Sequence, residues 1–237
     1  MTSAIRYPAA VLLPGTGSDE VFVRAVFGGP MAALGVPLVT PAPTGGGDVA
    51  EGFLEELDRL ARRHGTLLVG GISYGAHLAA EWAVANPGRC EGLLVALPAW
   101  YGEPGKAPAA VAATLTADLV AAEGVEAAVR WAEAGSPPWI AAELRRAWGR
   151  HGDGLAAGLR EAAARPAPSL AALRSLDVPA GVAGCGDDPV HPAGAARAWA
   201  EALPRGRYVE TSLAAVGADR EALGRAAVLA FLRALGR

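Results

Sequence analysis

The sequence predicts an α/β fold, with a mostly parallel sheet flanked by helices. Short apolar runs typical of strands buried on both faces recur at residues 9–13, 67–71, 92–97 and 178–184. Segments with helical periodicity lie between them, and the clearest, residues 51–64, places Phe53, Leu57 and Leu60 on one stripe. A chain of 237 residues suits one such domain with a small insertion.

Weaker patterns complete this arrangement. Further strands are predicted at residues 36–40 and 207–211, a partly helical segment at 21–34, and helices at 193–203 and 219–235. The stretch 41–48 is rich in proline and glycine and is predicted to be a loop.

The chain is organised around Ser73. The strand at 67–71 leads into Gly-Ile-Ser-Tyr-Gly at positions 71–75, and a helical pattern follows to residue 85. Glycines flank a serine on such a turn because strand and helix backbones come close there. The turn would raise the Ser73 hydroxyl above the sheet, beside the positive end of the new helix. The alternative is an ordinary tight turn between a strand and a helix.

Three motifs together resemble the α/β-hydrolase superfamily. They are Leu-Leu-Pro-Gly-Thr-Gly at 12–17, Gly-Ile-Ser-Tyr-Gly at 71–75 and Asp-Asp-Pro-Val-His-Pro at 187–192, in the order and at the spacing of that superfamily. The resemblance covers nearly the whole chain and implies the α/β-hydrolase fold, with Ser73 as nucleophile.

The same resemblance implies an oxyanion hole made by the backbone amides of Thr16 and Tyr74. Pro14 stands where the superfamily usually has a histidine, although the amide needs no side chain there. A simple helix-capping turn at residues 15–19 is the alternative.

The resemblance also implies that Asp188 is the triad acid, with Asp187 as the alternative. Pro192 would then occupy the first position of the following helix. The acid's task is to orient an imidazole and to stabilise its charged form. The competing interpretation is that both aspartates only cap that helix.

The base is the open question, because no histidine follows His191, whereas the superfamily places its catalytic histidine near residues 212–219. A serine needs a neighbouring base to act as a nucleophile. One hypothesis makes His191 the base, although a histidine three residues from its own aspartate has an uncertain reach. A second uses His77, on the helix after Ser73. A third dispenses with a triad.

Residues 103–168 lack strand patterns and show helical ones at 107–122, 125–134, 139–149 and 154–165. The resemblance implies a helical cap there, with residues 1–102 and 169–237 as the core. Just before it, Trp100 and Tyr101 are predicted either to line a substrate pocket or to pack in the core. The tryptophans at 131, 139 and 148 are interpreted first as packing residues.

The charge and composition of the chain restrict the kinds of partner that we expect it to bind. The net charge is −3 with no basic block, which argues against nucleic acid, and no apolar run approaches the length of a membrane helix. Cys90 and Cys185 are far apart and suggest no disulfide framework. The N-terminus shows no signal-peptide pattern, so we expect a cytoplasmic protein. We expect no cofactor and no metal; a homodimer could form through the last helix but is not required.

The functional prediction is a small-molecule serine hydrolase of the esterase, thioesterase or lactonase type. The proposed residues are Ser73, Asp188 and His191, with the amides of Thr16 and Tyr74. The alternative is a degenerate hydrolase fold without a full triad, acting as a non-hydrolytic cyclase or isomerase or as a ligand-binding protein.

Overall fold

The structure is a computed structural model that describes residues 7–44 and 48–236. Within these residues, six parallel strands form one sheet, in the order β2-β1-β3-β4-β5-β6. The strands are β1 (Ala10–Leu13), β2 (Leu38–Val39), β3 (Leu67–Ile72), β4 (Cys90–Ala96), β5 (Ala180–Cys185) and β6 (Gly206–Thr211). This confirms the predicted parallel sheet flanked by helices.

The helices lie between the strands along the chain. They are α1 (Glu20–Leu34), α2 (Val49–His64), α3 (Tyr74–Ala85), α4 (Pro108–Glu123), α5 (Val125–Gly135), α6 (Pro138–His151), α7 (Leu155–Ala164), α8 (Leu170–Leu173), α9 (Ala193–Ala202), α10 (Leu213–Ala218) and α11 (Glu221–Ala234), with a 3₁₀ turn at Gly152–Gly154.

Alternation along the strands explains why both faces of the sheet are covered. In β1, Val11 and Leu13 join the hydrophobic cluster formed with α2, α3 and α9. Ala10 and Leu12 point to the other face and join the cluster formed with α1 and α11. Successive side chains of a strand point to opposite faces, so an entirely apolar strand supplies both layers of the core.

The order of the strands determines where a ligand can bind. After β1 the chain moves outward to β2, and then returns to place β3 on the other side of β1. In open α/β sheets the crevice at such a reversal, beyond the carboxyl ends of the strands, is the usual ligand site. Thr16 follows β1 and Ser73 follows β3, so the two residues flank this crevice.

Helices α4 to α7, called here the insertion helices, lie between β4 and β5 and have a hydrophobic cluster of their own, which includes Trp148, Leu155 and Leu159. Gly102 and Ala167 form an antiparallel bridge where the chain leaves and rejoins the core. This bridge supports the predicted division into core residues 1–102 and 169–237 and a cap of residues 103–168, which stays a prediction.

Most helix and strand positions match the sequence predictions to within a few residues. The second strand is shorter than expected, and Pro192 is the N-cap of α9 instead of its first helical residue. Helices α8 and α10 were not predicted, because both are short and lack an apolar period.

Two predictions fall partly outside the described residues: the N-terminus without a signal-peptide pattern and the loop at 41–48. Among the described helices, none has both the length and the apolar character required to cross a membrane.

Candidate active site

Ser73 sits on a strained turn between β3 and α3. Its backbone has φ 53° and ψ −119°, a region that non-glycine residues rarely adopt. Its amide donates to the Ala96 carbonyl at 2.8 Å, which fixes the turn against β4. Such strain persists only where the surroundings impose it, and it is concentrated at functional sites. The elbow predicted from the motif therefore has the expected geometry.

The surrounding backbone explains the flanking glycines. A Cβ atom on Gly75 would overlap the carbonyl oxygens of Leu13 and Pro14, and one on Gly71 would overlap the Leu13 oxygen. The end of β1 thus presses directly on the elbow, and only glycine fits at these two positions.

His191 reaches Ser73. Its Nε2 lies 3.0 Å from the Ser73 Oγ, and its Nδ1 lies 2.9 Å from Oδ2 of Asp188. The three side chains form one hydrogen-bonded chain, although two of them come from the same loop after β5. Of the three hypotheses for the base, this geometry favours His191.

Asp188 is held in place by its own turn. Its Oδ1 accepts hydrogen bonds from the amides of Val190 and His191, at 2.8 and 3.0 Å, which leaves Oδ2 for the imidazole. Burial alone would raise the pKa of Asp188, but the hydrogen bond and charge of His191 and the two amides together lower it. The carboxylate is therefore ionised at neutral pH and can hold the Nδ1–H tautomer, which leaves Nε2 free to accept a proton from Ser73.

Helix α10 occupies the segment where the superfamily usually has its histidine. The Ser212 hydroxyl accepts from the Ala215 amide, and Asp187 Oδ1 accepts from the Leu213 amide at 2.6 Å. Asp187 thus caps α10, and Asp188 bonds within its own turn. Neither carboxylate caps α9, contrary to the competing interpretation.

His77 is not available as a base. It is buried, and its Nε2 accepts a hydrogen bond from the Ala99 amide at 3.0 Å. Burial and the nearby His191 lower the pKa of His77 to about 3, so it stays neutral. Its ring lies between Trp100 and Trp199, with centroid distances of 4.7 and 5.6 Å. We therefore interpret it as a packing residue that supports Trp100.

The two amides expected to form an oxyanion hole are close to the nucleophile. Gly15 is so near the elbow that a Cβ there would lie 3.3 Å from the Ser73 Cβ, and Thr16 follows it. Tyr74 begins α3, where the first amide hydrogens have no partner within the helix. In the described part of the chain, neither the Thr16 nor the Tyr74 amide donates to a backbone or side-chain acceptor.

Glu161 of α7 connects the elbow to the insertion helices. It accepts from the Tyr74 hydroxyl and from the amides of Val49 and Ala50, each at 3.1 Å. A carboxylate at the start of α2 is favourable because it satisfies unpaired amides there. Glu161 was not predicted from the sequence, because nothing in its local pattern distinguishes it from other helical glutamates.

Ser73, His191 and Thr16 line a cavity of about 960 Å³ between the sheet edge and the insertion helices. Its other walls come from α4 to α7, the loop after β5, and α10. Four of the six tryptophans line it: Trp100, Trp131, Trp139 and Trp148. Trp139 and Trp148 thus face the cavity as well as packing, as predicted, whereas Trp131 is 59% exposed and joins no hydrophobic cluster of the described residues.

Of the two residues predicted to bind substrate, only Trp100 lines the cavity. It is 8% exposed, and its carbonyl accepts a hydrogen bond from the Trp199 indole. Tyr101 is 45% exposed and does not line the cavity, so the structure does not bring it to this site. Tyr101 lies at the surface, next to Gly102, whose backbone has φ 63°.

One wall of the cavity was not predicted from the sequence. Ala109, Ala112, Ala113 and Thr116 of α4 all line it. Their spacing of three, one and three residues places them on one face of a helix, and this pattern could have predicted the wall from the sequence. Among the described residues, no group of three histidine, cysteine or carboxylate side chains is arranged to hold a metal ion.

Comparison with known proteins identifies the fold. No protein-family model and no curated protein sequence matches the chain. Solved structures do match it. An esterase from Thermogutta terrifontis, solved with malate bound, aligns with a TM-score of 0.72 and 20% identity, over 95% of this chain and 89% of the esterase.

Two further solved structures agree. An enol-lactonase from Burkholderia xenovorans aligns with a TM-score of 0.71 and 19% identity, over 97% of this chain and 92% of its own. An α/β hydrolase from Sphaerobacter thermophilus gives a TM-score of 0.62 and 22% identity, over 94% of this chain and 92% of its own. The resemblance seen in the sequence is thus confirmed at the level of the fold, and the chain is an α/β-hydrolase-fold protein.

Proposed function

We propose that this protein is a serine hydrolase that cleaves ester-type bonds of small molecules, of the esterase, thioesterase or lactonase type. The observation that carries the proposal is the chain of hydrogen bonds from Ser73 Oγ to His191 Nε2 at 3.0 Å and from His191 Nδ1 to Asp188 at 2.9 Å. A nucleophile, a base in contact with it and a group that orients the base are what acyl transfer requires.

In the proposed mechanism, Ser73 Oγ attacks the substrate carbonyl while His191 Nε2 takes the hydroxyl proton. Asp188 stabilises the imidazolium that forms. The imidazolium then returns the proton to the leaving group, which leaves an acyl group on Ser73. A water molecule activated by His191 attacks this acyl-enzyme and releases the acid.

The amides of Thr16 and Tyr74 are proposed to stabilise the oxyanion of each tetrahedral intermediate. Both lack an acceptor in the described part of the chain, and both flank the crevice that contains Ser73. Donors that are already in place at a developing charge give one of the largest contributions to catalysis. The esterase and the enol-lactonase among the similar structures fit this class of reaction.

The alternative is a protein without hydrolytic activity: a cyclase, an isomerase or a ligand-binding protein. It was based mainly on the absence of a histidine after residue 191. His191 in contact with Ser73 supports the hydrolase instead.

The test is labelling with a fluorophosphonate, followed by hydrolysis of p-nitrophenyl acetate. We expect labelling at Ser73 in the wild type, located by peptide mass spectrometry, and none in Ser73→Ala. Replacing the base, as in His191→Gln, should lower kcat/KM by roughly 10²–10⁴.

The matched control is His64→Gln. His64 ends α2 and does not line the cavity, so this variant should keep the wild-type rate. An unlabelled wild type, or a His191→Gln variant with the activity of the control, would contradict the proposal.

A further inference from the structure

The cavity continues from Ser73 into the insertion helices along one face of α4. The first turn of α4 packs on the core, where Ala109 contacts the cluster that contains Trp100. One turn later, Ala113 packs against the insertion cluster that contains Trp148. Between Ala109 and Thr116 the wall advances seven residues, or about 10 Å along the helix. Because three of the four side chains are alanine, this face leaves a slot.

Thr116 is the one residue of this α4 wall that carries a hydroxyl. The residue is 6% exposed and lines the cavity. Thr114, on the outer side of the same helix, donates its hydroxyl to the Ala110 carbonyl at 3.0 Å. Among the described residues, the Thr116 hydroxyl forms no hydrogen bond, and its oxygen is not one of the fully buried unpaired atoms, so it faces open space in the cavity. A hydroxyl that faces the cavity is available to a ligand in the slot, which would supply its hydrogen-bond partner.

The charges around the cavity restrict the ligand further. Within the described residues, its walls contain no lysine or arginine, and their ionisable groups are Asp187, Asp188 and His191. Asp188 and His191 already pair with each other, and Asp187 caps α10. A carboxylate or phosphate entering this cavity would lose its water without gaining a cation. Tryptophan and alanine walls favour uncharged apolar groups instead.

We propose that the substrate is an uncharged ester or thioester with one apolar, medium-length arm that lies in the α4 slot. This arm carries a hydroxyl group towards its far end, and that group forms a hydrogen bond with Thr116. The inference rests on the proposed function only for the identity of the bond cleaved at Ser73.

The test measures binding and not turnover, so its result does not depend on whether Ser73 cleaves an ester-type bond. The probes are octanamide, octanamides with a hydroxyl on each of the last three carbons, and octanoate, titrated against quenching of tryptophan fluorescence. The tryptophans of the cavity make this readout direct. At least one hydroxylated amide should bind about threefold to tenfold more tightly than octanamide. Octanoate should bind at least about tenfold more weakly than octanamide.

Two substitutions locate the site. Thr116→Val keeps the shape of the side chain and should abolish the preference for the hydroxylated amide, whereas Thr114→Val, on the outer face, should keep it. Ala113→Phe should fill the slot and weaken octanamide by tenfold or more. Its control is Val111→Phe, on the exposed side of the same helix, which should bind normally.

Three results would overturn the inference: no hydroxylated amide preferred by the wild type, a preference that survives in Thr116→Val, or octanoate bound as tightly as octanamide. Failure of Ser73 to react with the fluorophosphonate would leave these binding results unchanged, and would count against the proposed reaction instead.

Discussion

At the scale of single residues, the unusual feature is a carboxylate and an imidazole supplied by one turn. Asp188 uses one oxygen for two backbone amides and the other for His191. The amide bonds hold the carboxylate still, and the second oxygen bonds to Nδ1 of the imidazole, whose Nε2 meets Ser73. The tautomer of His191 therefore depends on the chemistry of that single oxygen.

This arrangement makes Asp188→Asn informative. The asparagine carbonyl can still accept from the two amides, but its NH₂ group then faces Nδ1 of His191. Nδ1 must become an acceptor, so the proton moves to Nε2 and His191 can no longer take the Ser73 proton. We expect kcat for p-nitrophenyl acetate to fall by about 10³–10⁴ while the fold is kept.

Asp187→Asn is the matched control. Its Oδ1 accepts from the Leu213 amide, which an asparagine oxygen can also do, so activity should change little. Equal losses in the two variants would mean that the residues are not distinguished by contact with His191, and the assignment of Asp188 would be wrong.

The sequence predicted these residues but could not settle whether His191 reaches Ser73. Both aspartates fit the acid position, and the choice depends on which way the loop turns after Cys185. That direction is set by backbone hydrogen bonds to Asp188 and by the capping of α10, which no residue pattern displays. Tyr101 shows the same limit, because no residue pattern separates it from its neighbour Trp100, yet Trp100 lines the cavity and Tyr101 lies at the surface.

At the scale of elements, the position of the nucleophile depends on the contact between the end of β1 and the elbow. The sequence predicted both elements and the need for glycine. It could not predict α10, whose six residues are held by two caps, or the cavity wall on α4, since small residues at helical spacing are equally typical of helix packing.

The contact between β1 and the elbow can be tested through stability. Gly75→Ala should lower the free energy of unfolding in urea by about 2 kcal/mol or more, because a Cβ there overlaps two carbonyl oxygens and forces the strand and helix apart. Gly149→Ala makes the same chemical change in α6, where the Cβ meets open space, and should stabilise by about 0.5–1 kcal/mol. Similar losses in both variants would show that the close approach does not limit position 75.

At the scale of the whole molecule, α6 is attached to the core both by charged groups and by Trp139, which packs against the cluster of α1 and α11. Arg146 and Arg150 both bond to Asp19, the buried N-cap of α1, and Arg150 also pairs with Glu20 at 2.7 Å. Burial would raise the pKa of Asp19, but the hydrogen bond from Arg146 and the other donors outweigh it and lower the pKa. His151 adds a 2.9 Å hydrogen bond to the Ser18 carbonyl. These contacts join the insertion helices to the loop that contains Thr16.

Because the ion pairs to Asp19 provide part of this attachment, we expect their loss to let α6 open locally without unfolding of the sheet. Asp19→Asn keeps an N-cap acceptor for α1 but removes the negative charge that holds the two arginines. In hydrogen exchange followed by mass spectrometry, peptides from α6 should then exchange about threefold to tenfold faster than in the wild type. Peptides from β3, which is buried along its whole length, should keep their rates.

Asp118→Asn is the control. It removes the partner of Arg160 in a pair whose side chains are both exposed, and it should leave the exchange of both α6 and β3 unchanged. Unchanged exchange of α6 in Asp19→Asn would show that the ion pairs do not hold the helix. A parallel increase in β3 would show that the insertion helices and the sheet unfold as one unit.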